Sequence, residues 1–369
     1  MKETSVGGVS METVEKWRVP AREEILTRIE ELATMLVECT ATGSLMDMET
    51  LRRTSDAMVY DHEKKHLIHS DETRVIRLNR GGARKYTAVW LVLHTVYELL
   101  SQRKTVTQRE IYYMHPFFKN QNEADEAILD TGCILRAPRG SLNIVGATKG
   151  CFSGCLKLMK EGEWRSYNNG DEHPITQQIL QAKPSEIASD ACCILVVEKD
   201  GIFNRLREDR FVDQLPSIIV TGRGFPDLAT REFVSLLSRT LELPVIGLSD
   251  CNPFGLSIML TYKLGSARMP LDTRPFGVDI KWVGLRPSRI EQLDLPPTAF
   301  KELSSKDRAR AKSLAQSDFV QSHCEYVEEV RMWSESAFSK KVELEALHLL
   351  GFGYLSGYVA KSIINHQYI

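Results

Sequence analysis

Residues 193–201 read CILVVEKDG, five apolar side chains in a row, then an acid and a charged turn. A run that is apolar without alternation belongs to a strand buried on both faces, and that reading decides the fold. Three further runs share its grammar: SIIVTG at 217–222, PVIGLSD at 244–250 and DIKWVGL at 279–285. Segments of helical length separate the first three, so repeated strand and helix units predict a parallel sheet with helices on its faces. In such sheets ligands collect beyond the carboxyl ends of the strands. Glu198 closes the first run and Asp250 the third, with Asn252 two residues on. A lone acid at a strand end is usually a helix cap or turn residue, but two on strands of one sheet weigh against that. A carboxylate pair with an amide oxygen suits a hard cation such as magnesium, which takes few protein oxygens and keeps several waters. The second run continues as TGRGFPD, where Gly222 and Gly224 allow a tight turn whose amides could approach an anion, with Arg223 between them.

Upstream, residues 105–118 read TVTQREIYYMHPFF. Thr107 followed by Glu110 has the form of a capping box and predicts a helix start. Pro116 limits that helix to about two turns. Arg109 and Tyr113 then stand four apart on one face, a fixed cation beside a phenol. The plainer alternative packs the pair, Tyr112 inward and Tyr113 at the rim. From 74 to 119 there are nine Lys or Arg against two acids. A strand is predicted at 74–79, ended by Gly81 and Gly82. Helices follow at 86–101 and 123–131, the latter closed by Gly132, and short strands at 133–136 and 142–145 flank the turn Ala-Pro-Arg-Gly. Three helices and a basic hairpin form a winged-helix pattern, which docks a helix in a DNA groove and rests its wing on the backbone.

The 369 residues carry 47 basic and 49 acidic side chains, so any basic surface must be local. Eight scattered cysteines in a chain this large, behind a polar first stretch without a secretory pattern, imply a reducing compartment. Cys151 and Cys155 lack the second pair or the histidine that a zinc site needs. No apolar run approaches the roughly 20 residues of a membrane span. The first twenty residues are expected to be disordered, and 22–42 to form an amphipathic helix that faces a partner or its own core. Residues 160–190 are polar and punctuated by Gly, Asn and Pro, which reads as a connector. From about 296 onward the pattern is mostly helical.

Glu198 in VVEKDGIFNRL, TGRGFPDLATR and Asp250 in DCNPFG resemble the Toprim domain shared by topoisomerases and primases. REIYY, ahead of a wing ending GATKG, resembles the tyrosine-bearing winged-helix domain of the A subunit of archaeal type IIB topoisomerase and of its eukaryotic relative, the meiotic DNA double-strand-break transesterase. WVGLRPSRIEQLDLP and the tail resemble the same family, with DCNPFG and the tail closer to the meiotic branch. The resemblance implies an α/β multidomain chain. Its parts would be an N-terminal tail and partner-binding helix at 1–62, a winged-helix (CAP-like) domain at 63–160, a connector at 161–190, and a Toprim parallel-sheet domain with a helical extension at 191–369.

It further implies that Tyr113 is the nucleophile, that Arg109 supports the phosphate, that Glu198 and Asp250 hold Mg2+ with Asn252 beside them, and that Lys149 and Arg223 touch DNA. Two positions depart from the family pattern: Asn252 stands where an acid is usual, and His115 where an Asp often follows the nucleophile. The expected product is a 5′-phosphotyrosyl link with a free 3′ hydroxyl, made in the nucleus on double-stranded DNA by a homodimer that cuts both strands. No Walker spacing is present, so ATP-driven gating calls for a B-subunit-like ATPase-fold partner, bound through the N-terminal helix. The rival readings are a topoisomerase A subunit that reseals, and a scaffold of this fold without chemistry.

Overall fold

A computed structural model describes residues 18–62, 66–146, 148–273, 276–334 and 339–369; most of the stretch expected to be disordered, positions 1–17, lies outside the described residues. The chain forms two units, Met1–Arg52 with Thr73–Val145, and Arg53–Glu72 with Gly146–Ile369.

The first unit is mostly helical. Helix α1, Arg22–Ala41, buries Ile25 and Ile29 in a cluster shared with α2, Ala83–Gln102, whose Val89, Val92, Leu93 and Val96 recur at helical spacing. The amphipathic face of α1 is therefore partly taken up by its own core, while Met35 and Val37 further along it stay exposed. Asn79 accepts hydrogen bonds from the amides of Gly81 (3.1 Å) and Gly82 (2.7 Å), which makes the turn that starts α2 and stops the preceding strand, Thr73–Ile76, short of the predicted end. The fully buried Asp130 takes Arg74 (2.5 Å) and Lys85 (2.8 Å), tying that strand, α2 and helix α4, Gln121–Ile134, together.

Two expectations are corrected in this unit. Gly132 does not stop α4, which runs on through Cys133 to Ile134. It is glycine because the Ala137 carbonyl would lie 3.0 Å from any Cβ there. The strand expected at 133–136 is thus the end of a helix, and no hairpin forms around the Ala-Pro-Arg-Gly turn. Ile144–Val145 instead pairs in parallel with Val106–Thr107, directly ahead of helix α3, Gln108–Met114.

The second unit is built on a six-stranded sheet in the order His173–Pro174, Cys151–Gly154, Ser217–Thr221, Cys193–Val197, Val245–Leu248, Ile280–Trp282. The last four are mutually parallel, and the first two are antiparallel additions at one edge. Every residue of the Cys193–Val197 and Ser217–Thr221 strands is buried, as unalternating apolar runs require. Helices Ser305–Ala315, Cys324–Ser334 and Tyr354–Ile364 supply the predicted helical tail, and Trp282 is buried with its ring stacked on Tyr326.

The division of the chain differs from the expected one at three places. Cys151–Gly154, assigned to the first domain, is a strand of the large sheet; Gly154, at φ 112°, lies too close to the Ser217 carbonyl for any side chain. The supposed connector also pairs, Lys157–Lys160 with Glu163–Ser166, and His173–Pro174 with the sheet. Residues 53–62 and 66–72, assigned to either side of the first boundary, belong to the second unit, where Tyr60 packs edge-on to Phe319 at 5.2 Å. The first unit therefore ends at Val145.

Candidate catalytic and metal-binding residues

Helix α3 is seven residues long and its start is set locally. The Glu110 amide donates to Thr107 Oγ1 at 3.2 Å and the Thr107 amide to Glu110 Oε2 at 2.5 Å, the reciprocal pair that the spacing predicts. These backbone contacts hold the Glu110 carboxyl below its ordinary range. A polar chain pins the helix to its neighbours: Gln108 Nε2 donates to Asp125 (3.0 Å), and Arg139 donates to Gln108 Oε1 (2.7 Å).

Ile111 is fully buried, Tyr112 half-buried, and Tyr113 projects with 74% of its surface exposed. Arg109, one turn earlier, is also exposed, and among the described residues neither Arg109 nor the Tyr113 hydroxyl has a hydrogen-bond partner. The rings of Tyr112 and Tyr113 are 5.1 Å apart. His115 does not share Tyr113's exposure. Half-buried, it meets Thr95 Oγ1 of α2 at 2.8 Å, and burial followed by the nearby His94 lowers its pKa, which keeps it neutral at pH 7.

The positive charge around α3 is smaller than the count suggested. Arg74 and Lys85 are spent on Asp130, Arg84 on Glu123 (2.5 Å) and Arg77 on Asp47 (3.1 Å). Arg80, Arg103, Lys104, Arg109 and Lys119 are exposed and lack an ion-pair partner among the described residues.

In the second unit, Glu198 and Asp250 meet where the adjacent parallel strands Cys193–Val197 and Val245–Leu248 end. The Asp250 amide donates to Glu198 Oε2 at 2.9 Å. Asp250 itself is 3% exposed; its Oδ1 accepts the Leu344 amide (2.9 Å) and its Oδ2 faces Lys199 Nζ (2.9 Å). Burial, then the neighbouring Asp250 charge, pushes Glu198 up to about 7. Burial raises Asp250 too, against the opposing pull of the Leu344 amide and Lys199. Burial alone would lower Lys199, but hydrogen bonds to Glu345 and Asp250 more than offset it and raise its pKa.

Gly255 is required here. A Cβ would sit 2.5 Å from the Asp250 carbonyl and 3.2 Å from Glu198 Oε2. Asn252 caps helix Pro253–Leu264, its Oδ1 accepting the Gly255 amide at 2.8 Å. Part of the amide oxygen's capacity is therefore already used.

A half-buried carboxylate raised first by desolvation and then by the charge of the buried one beside it is the electrostatic signature of a site suited to a divalent cation, and Glu198 Oε1 has no hydrogen-bond partner among the described residues. No cluster of three metal-capable His, Cys, Asp or Glu exists among the described residues, so the fit is to a cation that takes two protein oxygens and keeps its waters. The sequence reading missed Lys199 and its partners Glu345 (2.7 Å) and Glu343 (3.7 Å). Lys199 follows Glu198 directly and could have been weighed; the two acids lie far along the chain and carry no local signal.

Arg223 and Lys149 lie together, with Lys149 Nζ 3.5 Å from the Arg223 carbonyl. Gly224 anchors their loop by donating to the Glu198 carbonyl at 2.8 Å. The Arg223 guanidinium is engaged by Asp200 (2.9 Å) and Glu172 (2.5 Å), and the Asp200 contact raises its pKa.

Comparison with known proteins bears on both halves. A family model for the Toprim domain of Spo11 and the topoisomerase 6 A subunit matches residues 193–363, and one described as "Type IIB DNA topoisomerase" matches 84–144. The meiotic recombination protein SPO11-2 of Oryza sativa subsp. indica is 36% identical over 298 residues, 78% of this chain and 76% of the relative. The meiotic recombination protein SPO11 of Mus musculus is 32% identical over 349 residues, covering 92% and 87%. The A subunit of DNA topoisomerase 6 from Arabidopsis thaliana is 31% identical over 343 residues, covering 90% and 78%. The chain belongs to the family of Spo11 and the topoisomerase 6 A subunit.

It is thus a type IIB topoisomerase-like, DNA-cleaving transesterase with a Toprim domain. Within the family match, Arg109 and Tyr113 fall in the 84–144 segment and Glu198, Asp250, Asn252 and Arg223 in the Toprim segment. Lys149 lies between the two segments and α1 ahead of both. No helix among the described residues is long and apolar enough to cross a membrane.

Proposed function

We propose that Tyr113 attacks a DNA phosphodiester and becomes joined to the 5′ end, with Glu198 and Asp250 as the ligands of a magnesium ion. The observation that carries this is the Tyr113 side chain, exposed at the end of a capped helix with an unpaired arginine one turn behind it. The Tyr113 oxygen forms a bond to phosphorus as the bond to the 3′ oxygen breaks; the phenol loses a proton and the 3′ oxygen gains one. One phosphodiester replaces another, so no outside energy source is consumed. A phenol ionises near pH 10, so it needs nearby positive charge to act at neutral pH.

Arg109 supplies charge-assisted donors to the phosphate oxygens. When bound, a magnesium ion would supply positive charge next to the reacting phosphate and the departing oxygen. Glu198 and Asp250 would hold it, with Asn252 remaining a helix cap. Lys149 contributes a phosphate contact; Arg223 does so if DNA displaces Glu172 or Asp200.

In this reading the α2–α4 module acts as a winged-helix-like (CAP-like) DNA-docking element through its exposed Arg80, Arg103, Lys104 and Lys119, with phosphate contacts that are weakly sequence-selective and salt-sensitive. A homodimer on DNA makes a double-strand break that initiates meiotic recombination in the nucleus, the tyrosine of one protomer serving with the acids of the other. A B-subunit-like ATPase-fold partner is assigned to α1, whose Met35 and Val37 are exposed.

The test is to incubate the chain, its partner and magnesium with end-labelled DNA, denature, and look for label attached to protein. Tyr113→Phe should abolish the adduct and Tyr112→Phe should leave it; an adduct surviving Tyr113→Phe overturns the assignment. The 31% identity to a topoisomerase 6 A subunit over 90% of this chain supports a second reading, in which the break is resealed. Relaxation of supercoiled DNA with ATP and a B-type partner would select it.

A further inference from the structure

Helix Leu228–Leu241 carries Arg231, which is 1% exposed, and all three of its guanidinium nitrogens lack a hydrogen-bond partner. No ion pair reaches it among the described residues; Asp272 acts on it only through space. Burial lowers its pKa to about 10, so it stays charged at neutral pH. Beside it the Tyr262 hydroxyl is buried and also without a partner, near enough that the two affect each other's ionisation. An unpaired charge and an unpaired hydroxyl held side by side out of water are both costly, and neither contributes to the chemistry above.

Arg231 lines a cavity of about 780 Å³ wholly within the second unit, within the size range of small-molecule sites. Arg310, Ser313 and Ser317 line it as well, with Phe225 on the wall. Asp56 and Asp318 also face it, so the cavity is not a general basic surface but a fixed buried cation with hydroxyls around it. It shares no lining residue with Glu198 or Asp250.

We propose that this cavity binds a small phosphate-bearing molecule whose anionic group is taken by Arg231. A guanidinium presents its N–H donors in a planar fork that matches an oxyanion. Ser317 Oγ already donates to the Leu314 carbonyl (2.8 Å) and Arg310 Nε to Ser257 Oγ (2.6 Å). The Arg231 fork, the remaining N–H groups of Arg310 and the Ser313 hydroxyl still outnumber what the two oxygens of a carboxylate can use, and the terminal oxygens of a phosphate can use them. The exposed Phe225 ring offers a face on which a base can stack.

The experiment uses the full chain without DNA or magnesium. Binding of inorganic phosphate, pyrophosphate and AMP is followed by calorimetry and thermal melting, with sodium chloride at matched ionic strength as control. Saturable binding that raises Tm is expected. AMP binding more tightly than phosphate identifies a nucleotide, and pyrophosphate binding as well as AMP a free anion. Arg231→Met should weaken binding by about tenfold or more, the loss of a charged hydrogen-bonding partner, while melting no lower than the parent without ligand. Should that variant fail to fold, Arg310→Gln at the same wall decides, with binding several-fold weaker expected. The proposal is overturned if none of the three probes binds saturably, or if the folded variant binds them as the parent does.

Discussion

The tyrosine helix and the acid pair are built by opposite means. The start of helix α3 is set by bonds between near neighbours, Thr107 with Glu110, and its end leaves Tyr113 74% exposed. Glu198 and Asp250 are 52 residues apart in sequence, and Asp250 is fixed in turn by an amide 94 residues further on. A nucleophile that must meet a duplex has to stand outside the protein, where it contributes little to stability. A charge centre works best when it is fixed in advance in a low-dielectric setting, which requires burial and long-range support. The first can therefore be altered with little change in stability, and the second cannot.

Tyr113→Phe should break this comparison most sharply: complete loss of the covalent adduct, with a shift in stability within about 0.5 kcal/mol, as for an exposed side chain. Loss of folding in that variant, read by thermal melting, would mean that the helix is not the separable element described here. Glu198→Gln should do the reverse in metal-free protein.

The folded pKa of Glu198 is raised to about 7 from an ordinary 4.5, so between those values the folded state holds a proton that the unfolded state has lost. Stability attached to this group is complete below about pH 4.5 and lost as pH rises through about 7. Glu198→Gln should then match the parent near pH 4 and be more stable by roughly 1 to 3 kcal/mol at pH 8, since each tenfold change in proton affinity is worth about 1.4 kcal/mol and the pair shares it. Magnesium should raise the parent's Tm at pH 8 and leave the variant's unchanged. A pH-independent difference would show that the carboxylate is not held against its charge.

Gly255→Ala tests the same centre by shape alone. The added methyl meets the Asp250 carbonyl and crowds Glu198 Oε2. A loss of about 1 to 3 kcal/mol is expected, as for overpacking against backbone, together with weaker magnesium protection.

These contacts also mark where the sequence was legible. Unalternating apolar runs and the Thr107–Glu110 spacing obey rules that operate within a few residues, and the buried parallel strands, the meeting of Glu198 and Asp250 at their ends and the capping box are as those rules predict. Gly132 read as a helix stop because a glycine needed for close approach and one needed for a turn look alike in sequence. Strand Cys151–Gly154 was assigned to the wrong unit because its partner, Ser217–Thr221, is far downstream. The basic count overstated the surface because Arg74, Lys85 and Arg84 pair with acids on α4. Lys199 stands beside Glu198 in the sequence, but its pairing with Glu343 and Glu345 was invisible for the same reason: it exists only once the tail has folded back.

The smallest effect sharpens the comparison from the other side. Thr107→Ala removes the hydroxyl that accepts the Glu110 amide, and with it half of the capping box. Such a cap is worth about 1 kcal/mol, spent here almost entirely on the first turn of a seven-residue helix. Ile111 remains in the core and Gln108 remains bonded to Asp125, so α3 should fray without leaving its place. The global melting temperature should fall by only a few degrees at most, since a ~1 kcal/mol change in a domain of this size moves Tm little. Adduct formation should fall several-fold, because the helix end that carries Tyr113 would occupy its productive position for a smaller fraction of the time. Hydrogen exchange confined to residues 107–111 would localise the change. If Tm drops steeply instead, the short helix is coupled to the core more tightly than its exposed residues imply, and the contrast between a separable nucleophile and an embedded charge centre fails at its first term.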